Sequence, residues 1–328
     1  MRKRILGKSG YEVSEVGFGA WQIGADWGEE VSREAANDAL HAAVDTGVNF
    51  IDTADAYGGG RSERILGEFI RERQEQLYVA TKMGRATENW DAGYEEIARA
   101  AEASCERLGV DCLDLVQLHC IPEETLHAGH AFENLEKIKQ RGLIRHYGVS
   151  IETIDEGLFC ISNSEAVSLQ VIFNIFRQRV IADLLPVASE KQIGIIARVP
   201  LASGLLSGRF SEGHEFAEND HRSFNCDGQL FNVGETFAGV SFGEGVELAG
   251  RVNNLLGEEC SGATLAQKSL RWILDHDAVS TVIPGAKNAR QAVENADVSG
   301  IVPLSEKAHA DLRGLYHSQI DSRVRGRY

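Results

Sequence analysis

Four ionisable side chains stand at or just after the ends of short apolar runs, where together they could carry out acid–base chemistry. Three runs end in Asp52, Lys82 and His119, and Tyr57 lies in the segment that follows the first run. A phenol with its ordinary pKa near ~10 is a poor proton donor at neutral pH. A neighbouring ammonium group favours the tyrosinate form. We therefore expect Lys82 to lower the pKa of Tyr57.

The chemistry that this set predicts is proton donation to a carbonyl oxygen while a hydride reaches the carbonyl carbon. Asp52 would keep Lys82 charged and oriented, and Tyr57 would give its proton to the oxygen. His119 would form a hydrogen bond to the same oxygen and fix its position. Each residue type is common in structural roles, so this interpretation depends on their joint placement at consecutive strand ends.

The elements that must position these side chains alternate regularly along the chain. Eight apolar, β-branched runs are separated by segments with helical periodicity. Runs that are hydrophobic nearly throughout are typical of parallel strands buried on both faces. The predicted strands are 16–20, 48–53, 77–82, 113–119, 146–150, 168–173, 194–199 and 281–285. This α/β alternation predicts a closed (β/α)8 TIM barrel, in which residues at the carboxyl ends of strands face one mouth.

The helical segments begin and end at suitable residues, and three features exceed a minimal barrel. Ser32 is a predicted N-cap, and Gly47 ends that first helix. The other predicted helices lie near 62–74, 94–108, 132–138, 151–160, 180–191, 264–276 and 289–296. The additions are an N-terminal hairpin from 4–6 and 12–15, a long loop at 211–245 after strand seven, and an extra C-terminal helix at 304–318. We expect residues 1–328 to form a single domain.

The composition excludes several classes of protein. The chain has 328 residues, with 33 Lys+Arg against 49 Asp+Glu and a net charge of −16. A nucleic-acid-binding protein needs a basic surface, so we expect no nucleic-acid partner. No apolar stretch reaches ~18 residues, so we expect no membrane span. We expect a cytoplasmic protein whose partner is a small-molecule carbonyl substrate, and the oligomeric state stays open.

The six cysteines contain no C-x-x-C pair. In a chain of this length they predict reduced thiols rather than a disulfide framework. His119 and Cys120 are adjacent, and neighbouring residues on a strand face opposite ways. We therefore predict no metal site there.

Several motifs around the four side chains resemble those of the aldo-keto reductases. The segment F-I-D-T-A-D-A-Y-G at 50–58, with S-E-R-I-L-G at 62–67, is similar to the first signature of that family. The runs that end in Lys82 and His119 are similar to its lysine and histidine segments. The resemblance covers nearly the whole chain in the family's order, since it continues through 147–150, 200–209 and 283–285.

The resemblance implies a (β/α)8 barrel that binds NAD(P)H without a Rossmann domain and reduces an aldehyde or ketone with the nicotinamide hydride. By resemblance, Tyr57 is the general acid and His119 orients the substrate. Lys82 and Asp52 are the pair that activates Tyr57. These roles match the interpretation reached from the residues themselves.

The resemblance also implies a set of residues along the cofactor. The implied residues are Trp21, Asp52, Ser150, Gln170, Arg198, Pro200, Leu201, Ser203, Ser207, Arg209, Gly285, Lys287, Gln291, Glu294 and Asn295. Ser150 and Gln170 would hold the nicotinamide amide. The segment 200–209 would lie along the pyrophosphate, and Glu294 with Asn295 would hold the adenine end.

Three positions depart from the family pattern. Ile151 stands where many members carry Asn, and Arg198 stands where many place an aromatic ring under the nicotinamide. Gln291 replaces an arginine that binds the 2′-phosphate in some members. Lys287 and Arg209 could still neutralise that phosphate. NADPH (NADP) is therefore the expected cofactor, and NAD remains open.

Two other functions remain open. A Schiff-base aldolase would use Lys82 as its nucleophile. A nucleotide-binding regulatory subunit, similar to the potassium-channel β subunits that also resemble this family, would act through a partner.

The sequence leaves the substrate undetermined. Trp21, Trp27, Trp90 and the phenylalanines of 211–245 would either line an apolar pocket or pack in an ordinary way. The C-terminal arginines would either meet an anionic substrate or form a solvated tail; they are Arg323, Arg325 and Arg327.

Overall fold

The apolar runs of the sequence form the strands of an eight-stranded parallel sheet in which chain neighbours are also hydrogen-bonded neighbours. The computed structural model describes residues 1–24, 28, 30–85 and 90–328. The strands of the sheet are β3 (Phe18–Gly19), β4 (Phe50–Asp52), β5 (Tyr78–Met83), β6 (Leu113–His119), β7 (Ile144–Ser150), β8 (Ser168–Ile172), β9 (Gly194–Arg198) and β10 (Val279–Val282). They are preceded by an antiparallel hairpin of β1 (Lys3–Ile5) and β2 (Glu12–Ser14).

The sheet closes because the segment around β3 also pairs with the segment around β10. The Gly17 amide donates to the Val282 carbonyl at 2.8 Å, and the Gly19 amide donates to the Pro284 carbonyl at 3.0 Å. The last predicted strand was too long at its carboxyl end, since β10 ends at Val282. Pro284 has no amide hydrogen with which to extend a ladder. The predicted (β/α)8 barrel is confirmed.

Helices cover the outside of the barrel. They are α1 (Trp21–Gly24), α2 (Arg33–Asp45), α3 (Arg61–Glu72), α4 (Tyr94–Leu108), α5 (Glu123–Ala128), α6 (His130–Gln140), α7 (Ile154–Asn163), α8 (Val180–Asp183), α9 (Leu185–Glu190), α10 (His221–Phe224), α11 (Phe242–Leu255), α12 (Leu265–Leu274), α13 (Ala289–Ala296) and α14 (Glu306–Leu315). The predicted N-cap of α2 is confirmed, because the Ser32 hydroxyl accepts the Ala35 amide hydrogen. Thr153 and Thr264 begin α7 and α12 with capping boxes. No helix among the described residues has the length and apolar character that crossing a membrane requires.

The N-terminal hairpin seals the end of the barrel opposite the carboxyl ends of the strands. Leu6 and Val13 of the hairpin segment are fully buried in a cluster with strand residues that include Phe50, Leu115 and Ile196. Burying a side chain of this size contributes about 1.5–3 kcal/mol. The predicted hairpin is therefore confirmed, and it leaves the carboxyl-terminal mouth as the open end.

The segment 211–245 is more ordered than the sequence predicts. It contains α10 and two 3₁₀ turns, Val233–Glu235 and Phe237–Gly239, and α11 begins within it at Phe242. The predicted C-terminal helix is confirmed as α14, which continues into one wider turn at Tyr316–Ile320.

Candidate active site

Three of the four ionisable residues lie on adjacent strands at the open mouth. Asp52 ends β4, Lys82 lies one residue before the end of β5, and His119 ends β6. The exposed fractions of these residues are only 2%, 1% and 4%. Burial this complete is unusual for Asp and Lys unless they are paired.

The Lys82 ammonium group forms hydrogen bonds with two other residues of the predicted site, Asp52 and Tyr57. Its Nζ donates to Asp52 Oδ2 at 2.6 Å, to the Thr53 carbonyl at 2.8 Å and to the Tyr57 hydroxyl at 3.0 Å. An ammonium group has three donors, so all of them are satisfied here. The structure thus brings Tyr57, Lys82 and Asp52 together as the sequence predicts.

The glycine run after Tyr57 lets the loop place the phenol over Lys82. Gly58 has φ +60°, and a Cβ there would lie 1.9 Å from the Gly24 carbonyl oxygen. The Ser62 hydroxyl holds the same region, because it donates to the Ala20 carbonyl at 3.0 Å and accepts from Thr53 Oγ1 at 2.8 Å. A side chain at position 58 would therefore displace the loop that carries Tyr57.

The charge state of the site differs from the sequence expectation in one respect. Burial raises the pKa of the Tyr57 phenol, and the nearby Lys82 charge pulls it down without reversing that rise. Desolvation therefore outweighs the lowering by Lys82 that the sequence predicts, and the pKa of Tyr57 is raised overall. Burial pulls the pKa of Lys82 down, but Asp52 and Tyr57 outweigh it and the pKa is raised. At neutral pH, Tyr57 keeps its proton and Lys82 its charge.

The second oxygen of Asp52 is held by two glutamine side chains. Asp52 Oδ1 accepts from Gln117 Nε2 at 3.2 Å and from Gln170 Nε2 at 2.7 Å. Sequence reasoning missed Gln117, although an amide inside an otherwise apolar strand opposite Lys82 is a usable signal. Gln170 was expected to hold the nicotinamide amide; here its amide nitrogen binds Asp52.

His119 is a neutral imidazole at the edge of the phenol. Its ring centroid lies 6.0 Å from that of Tyr57, and the two rings meet edge to face. Burial lowers the pKa of His119 well below its usual value, and the charges of Lys82, Arg85 and Arg198 lower it further. Its buried Nδ1 atom has no hydrogen-bond partner among the described residues. The imidazole can therefore donate or accept a hydrogen bond at the mouth.

A second charged group, which the sequence did not predict, lies across the mouth. The Glu235 carboxylate binds Arg85 Nη1 at 2.9 Å and Arg198 Nη1 at 3.1 Å. Burial raises the pKa of Glu235, but the two guanidinium groups outweigh it and hold the pKa below its usual value. Arg198 also donates to the Ile151 carbonyl at 3.2 Å. The residue expected under the nicotinamide is therefore held by protein partners.

The residues predicted along the pyrophosphate follow β9 and are partly engaged with the protein. Pro200 and Leu201 precede the 3₁₀ segment Ala202–Ser207. The Ser203 hydroxyl donates to the Glu235 carbonyl and accepts from the Phe237 amide, both at 3.0 Å. The Ser207 hydroxyl donates to the Gly204 carbonyl at 2.6 Å.

The residues predicted at the adenine end gather around α13. The Gln291 side chain accepts from the Lys287 amide at 2.8 Å, and Asn295 Nδ2 donates to the Gly285 carbonyl at 3.2 Å. Glu294 lies 4.0 Å from the guanidinium of Arg209. These side chains therefore bind one another or nearby backbone groups around α13.

The remaining predicted cofactor contacts lie at the mouth. Ser150 is buried at the end of β7, with its hydroxyl 3.6 Å from Cys120 Sγ. The ring of Trp21 meets His221 edge to face, with centroids 4.8 Å apart. Both lie on the same end of the barrel as His119.

The sequence left two roles open for the tryptophans and for the phenylalanines of 211–245, and some of these phenylalanines pack against one another. Phe216 and Phe242 lie 5.2 Å apart, as do Phe237 and Phe242. Trp90 is buried, and Trp27 lies outside the described residues. These contacts are typical of ordinary packing, and a substrate pocket lined by the set stays a prediction.

The C-terminal arginines form ion pairs with the rest of the chain, and their side chains stay between 36% and 72% exposed. Arg323 lies 3.6 Å from Glu244, and Arg327 lies 3.2 Å from Glu123. Arg325 pairs with Asp227 and donates to the Cys226 carbonyl at 2.9 Å. The tail therefore forms part of the wall beside the mouth.

Comparison with known proteins gives consistent matches. A sequence model of the Aldo/keto reductase family matches residues 15–317. The uncharacterized oxidoreductase YqkF of Bacillus subtilis (strain 168) is 30% identical over 315 residues, covering 94% of each chain. A probable voltage-gated potassium channel subunit beta of Oryza sativa subsp. japonica is 28% identical over 319 residues, covering 93% of each. An aldo-keto reductase of Klebsiella pneumoniae in complex with NADP and acetate has a TM-score of 0.73 and 25% identity, covering 99% of each chain.

Proposed function

Because the chain belongs to the aldo/keto reductase family, we propose that it is an NADPH-dependent enzyme that reduces an aldehyde or ketone to an alcohol. The observation that carries this proposal is the buried Lys82 ammonium, which lies 2.6 Å from Asp52 and 3.0 Å from the Tyr57 hydroxyl. Such an arrangement stabilises a phenolate as its proton leaves. The NADP complex of the Klebsiella relative supports the choice of cofactor.

The cations beside α13 fit the phosphate groups of a dinucleotide. Arg209 and Arg290 both lie within 4.0 Å of Glu294, so two cations are close enough to share one anionic group. Arginine binds phosphate through charge-assisted hydrogen bonds. Ser150 lies at the other end, beside His119. NADPH bound along this path would supply the hydride and leave as NADP⁺.

The residues at the mouth divide the remaining chemistry. The substrate carbonyl oxygen accepts hydrogen bonds from the Tyr57 hydroxyl and from neutral His119. As the carbonyl carbon gains the hydride, the C=O π bond breaks and the Tyr57 proton moves to the oxygen. Lys82 stabilises the phenolate, and solvent returns the proton to Tyr57.

The experiment that tests this function is a panel of aldehydes and ketones followed through NADPH absorbance and repeated with NADH. We expect oxidation of NADPH that depends on the added carbonyl, with a lower kcat/KM for NADH. If tightly bound NADPH is never oxidised by any member of the panel, the proposal is wrong.

Two other functions make different predictions in the same assay. The rice potassium-channel relative favours a regulatory subunit, which would bind nucleotide and require a partner to act. A Schiff-base lyase needs a neutral amine, but Lys82 has a raised pKa and three hydrogen-bond acceptors. We therefore retain the regulatory subunit as the second candidate; it predicts nucleotide binding without turnover.

A further inference from the structure

Three arginine side chains are buried among the described residues, and one of them lacks a carboxylate partner there. Arg198 pairs with Glu235 at 3.1 Å, and Arg271 pairs with Asp275 at 2.8 Å. Arg177 is 1% exposed and forms no ion pair with a carboxylate of the described residues. Buried charges are normally paired, because removing a charge from water without compensation is costly. Arg177 is therefore the exception among the three.

Most hydrogen-bond donors of Arg177 are also without a partner. Its Nη2 donates to the Arg327 carbonyl at 3.4 Å, and its buried Nε and Nη1 have no hydrogen-bond partner among the described residues. The ring of Tyr328 lies against the guanidinium, with the ring centroid 3.9 Å from Cζ. This cation–π contact stabilises the charge but leaves the N–H donors in the guanidinium plane unsatisfied. Burial lowers the pKa of Arg177 to about 10, so the group is still charged at neutral pH.

A small cavity lies beside this guanidinium, between the carboxyl end of β8 and the beginning of α7; we call it the Arg177 cavity. Its volume of about 10 Å³ is close to what one water-sized ligand requires. Arg177 and Tyr328 form part of its wall. Most of the other wall residues are apolar; they are Ile151, Ile154, Val171, Ile172, Val180 and Leu184. An apolar wall cannot neutralise a cation, so the compensating charge has to come from a ligand.

The carboxylate in the wall of the Arg177 cavity does not supply that charge. This carboxylate belongs to Glu152, which accepts from Asn232 Nδ2 at 3.1 Å and forms no ion pair with Arg177. Two further guanidinium groups, those of Arg198 and Arg179, contribute to the lowered pKa of Arg177. A field that disfavours the positive charge on Arg177 attracts an anion.

We propose that the Arg177 cavity binds one chloride ion, in contact with the Arg177 guanidinium. The unpartnered N–H groups supply the donors, and the size of the cavity excludes phosphate, sulfate and carboxylates. A Cβ at Gly234 would lie 1.7 Å from Arg177 Nη1, so the segment that carries Glu235 packs directly on this guanidinium. Bound chloride therefore stabilises the folded protein where that segment meets the C-terminal tail. The proposed catalytic residues do not line this cavity, so the inference is independent of the reductase function.

Urea denaturation in sodium chloride and in sodium gluconate of equal ionic strength tests the site. A ligand that binds only the folded protein lowers the unfolding equilibrium constant by one plus the ratio of its concentration to its Kd. This is about twofold at the Kd and about tenfold at ten times the Kd. We expect this decrease with chloride and with bromide. Gluconate, which is too large for the cavity, should have no such effect.

Three variants separate binding at Arg177 from a general effect of salt. Arg177→Met should remove the difference between chloride and gluconate; in gluconate it should be at least as stable as the wild type, because an uncompensated buried charge is gone. Glu152→Gln should lower the Kd for chloride, since a like charge has left the cavity wall. Arg179→Met is the matched control and should keep the chloride effect. Arg179 also lies over the Tyr328 ring, at 4.7 Å, but it pairs with Asp321 and does not line the cavity.

A crystal structure of the wild type grown in sodium bromide locates the anion through the anomalous scattering of bromine. A bromide peak against the Arg177 guanidinium supports the proposal, and an ordered water at that place without anomalous signal overturns it. An equal chloride effect in Arg177→Met and the wild type also overturns it, as does stabilisation by sulfate or phosphate but not by halides. The bromide structure needs no variant, so it decides the question even if Arg177→Met does not fold.

Discussion

Two groups of charged side chains lie at the same mouth, and different parts of the fold position them. The first joins Asp52, Lys82 and Tyr57 through neighbouring strands and the loop that follows one of them. The second joins Arg85, Glu235 and Arg198, and Glu235 is 150 residues from Arg85 in sequence. The first group is fixed by the barrel itself. The second forms only when the long segment after β9 folds back across the mouth.

This difference separates a part of the site held by rigid elements from a part that a loop completes. Local opening draws on the regions whose contacts are fewest and whose hydrogen bonds are most accessible. We therefore expect the Glu235 group to open without unfolding the barrel, whereas the Lys82 group should persist until the barrel unfolds.

The largest expected effect is on catalysis by the first group. Tyr57→Phe removes the proposed proton donor and keeps the ring, so kcat should fall by about 10²- to 10⁴-fold. NADPH binding, followed by fluorescence, should be retained. Tyr78→Phe is the matched control, since Tyr78 stacks on Tyr11 far from the mouth. Unchanged turnover in Tyr57→Phe would exclude this residue as the acid.

The next effect is on stability. Lys82→Met leaves Asp52 buried without its cation, so the free energy of unfolding should fall by about 3–5 kcal/mol. Urea denaturation measures this loss. The double variant with Asp52→Asn should recover part of it, because the uncompensated charge is gone. Equal stability of the single variant and the wild type would contradict the rigid, desolvated pair described here.

Glu235→Gln should have a smaller effect that is confined to the loop. It leaves two guanidinium groups without their carboxylate, and we expect a loss of about 1–3 kcal/mol. Limited proteolysis should cleave within 211–245 faster than in the wild type, with the barrel fragments left intact. Cleavage at the wild-type rate would show that the ion pairs do not hold this segment closed.

The same contrast explains what the sequence could predict. The strands, and with them Asp52, Lys82 and His119, follow from apolar runs and the polar residues that end them. Glu235 lies inside a polar segment with no periodicity, so its position depends on how the segment folds back. For a related reason the contribution of Lys82 to the Tyr57 pKa could be predicted but the larger contribution of burial could not, since burial is a property of the packed mouth.

Helix α11 could not be predicted from local helix propensity. It contains Gly243, Gly245 and Gly250, and glycine lowers helix propensity by about 1 kcal/mol per residue. A Cβ at Gly245 would lie 2.4 Å from the Leu205 side chain, which would have to shift to make room for it. The sequence therefore predicted a loop that ended at residue 245 and no helix over 242–255, where tertiary contacts impose one.

The smallest predicted effect is the pH dependence of stability that comes from His119. The pKa of this residue depends on both charged groups. Burial, Lys82, Arg85 and Arg198 all lower its pKa, so the folded protein binds a proton at His119 less readily than the unfolded chain does. The stability that this contributes is present above pH ~6.5 and is lost as pH falls below that value. The His119→Gln variant should flatten this dependence by at most about 1.4 kcal/mol per pH unit. Denaturation from pH 7 to 5 measures it, and NMR titration of His119 in Arg85→Met should show a higher pKa than in the wild type. An unchanged slope and an unchanged titration would mean that the charges of the loop-completed group do not affect the pKa of His119.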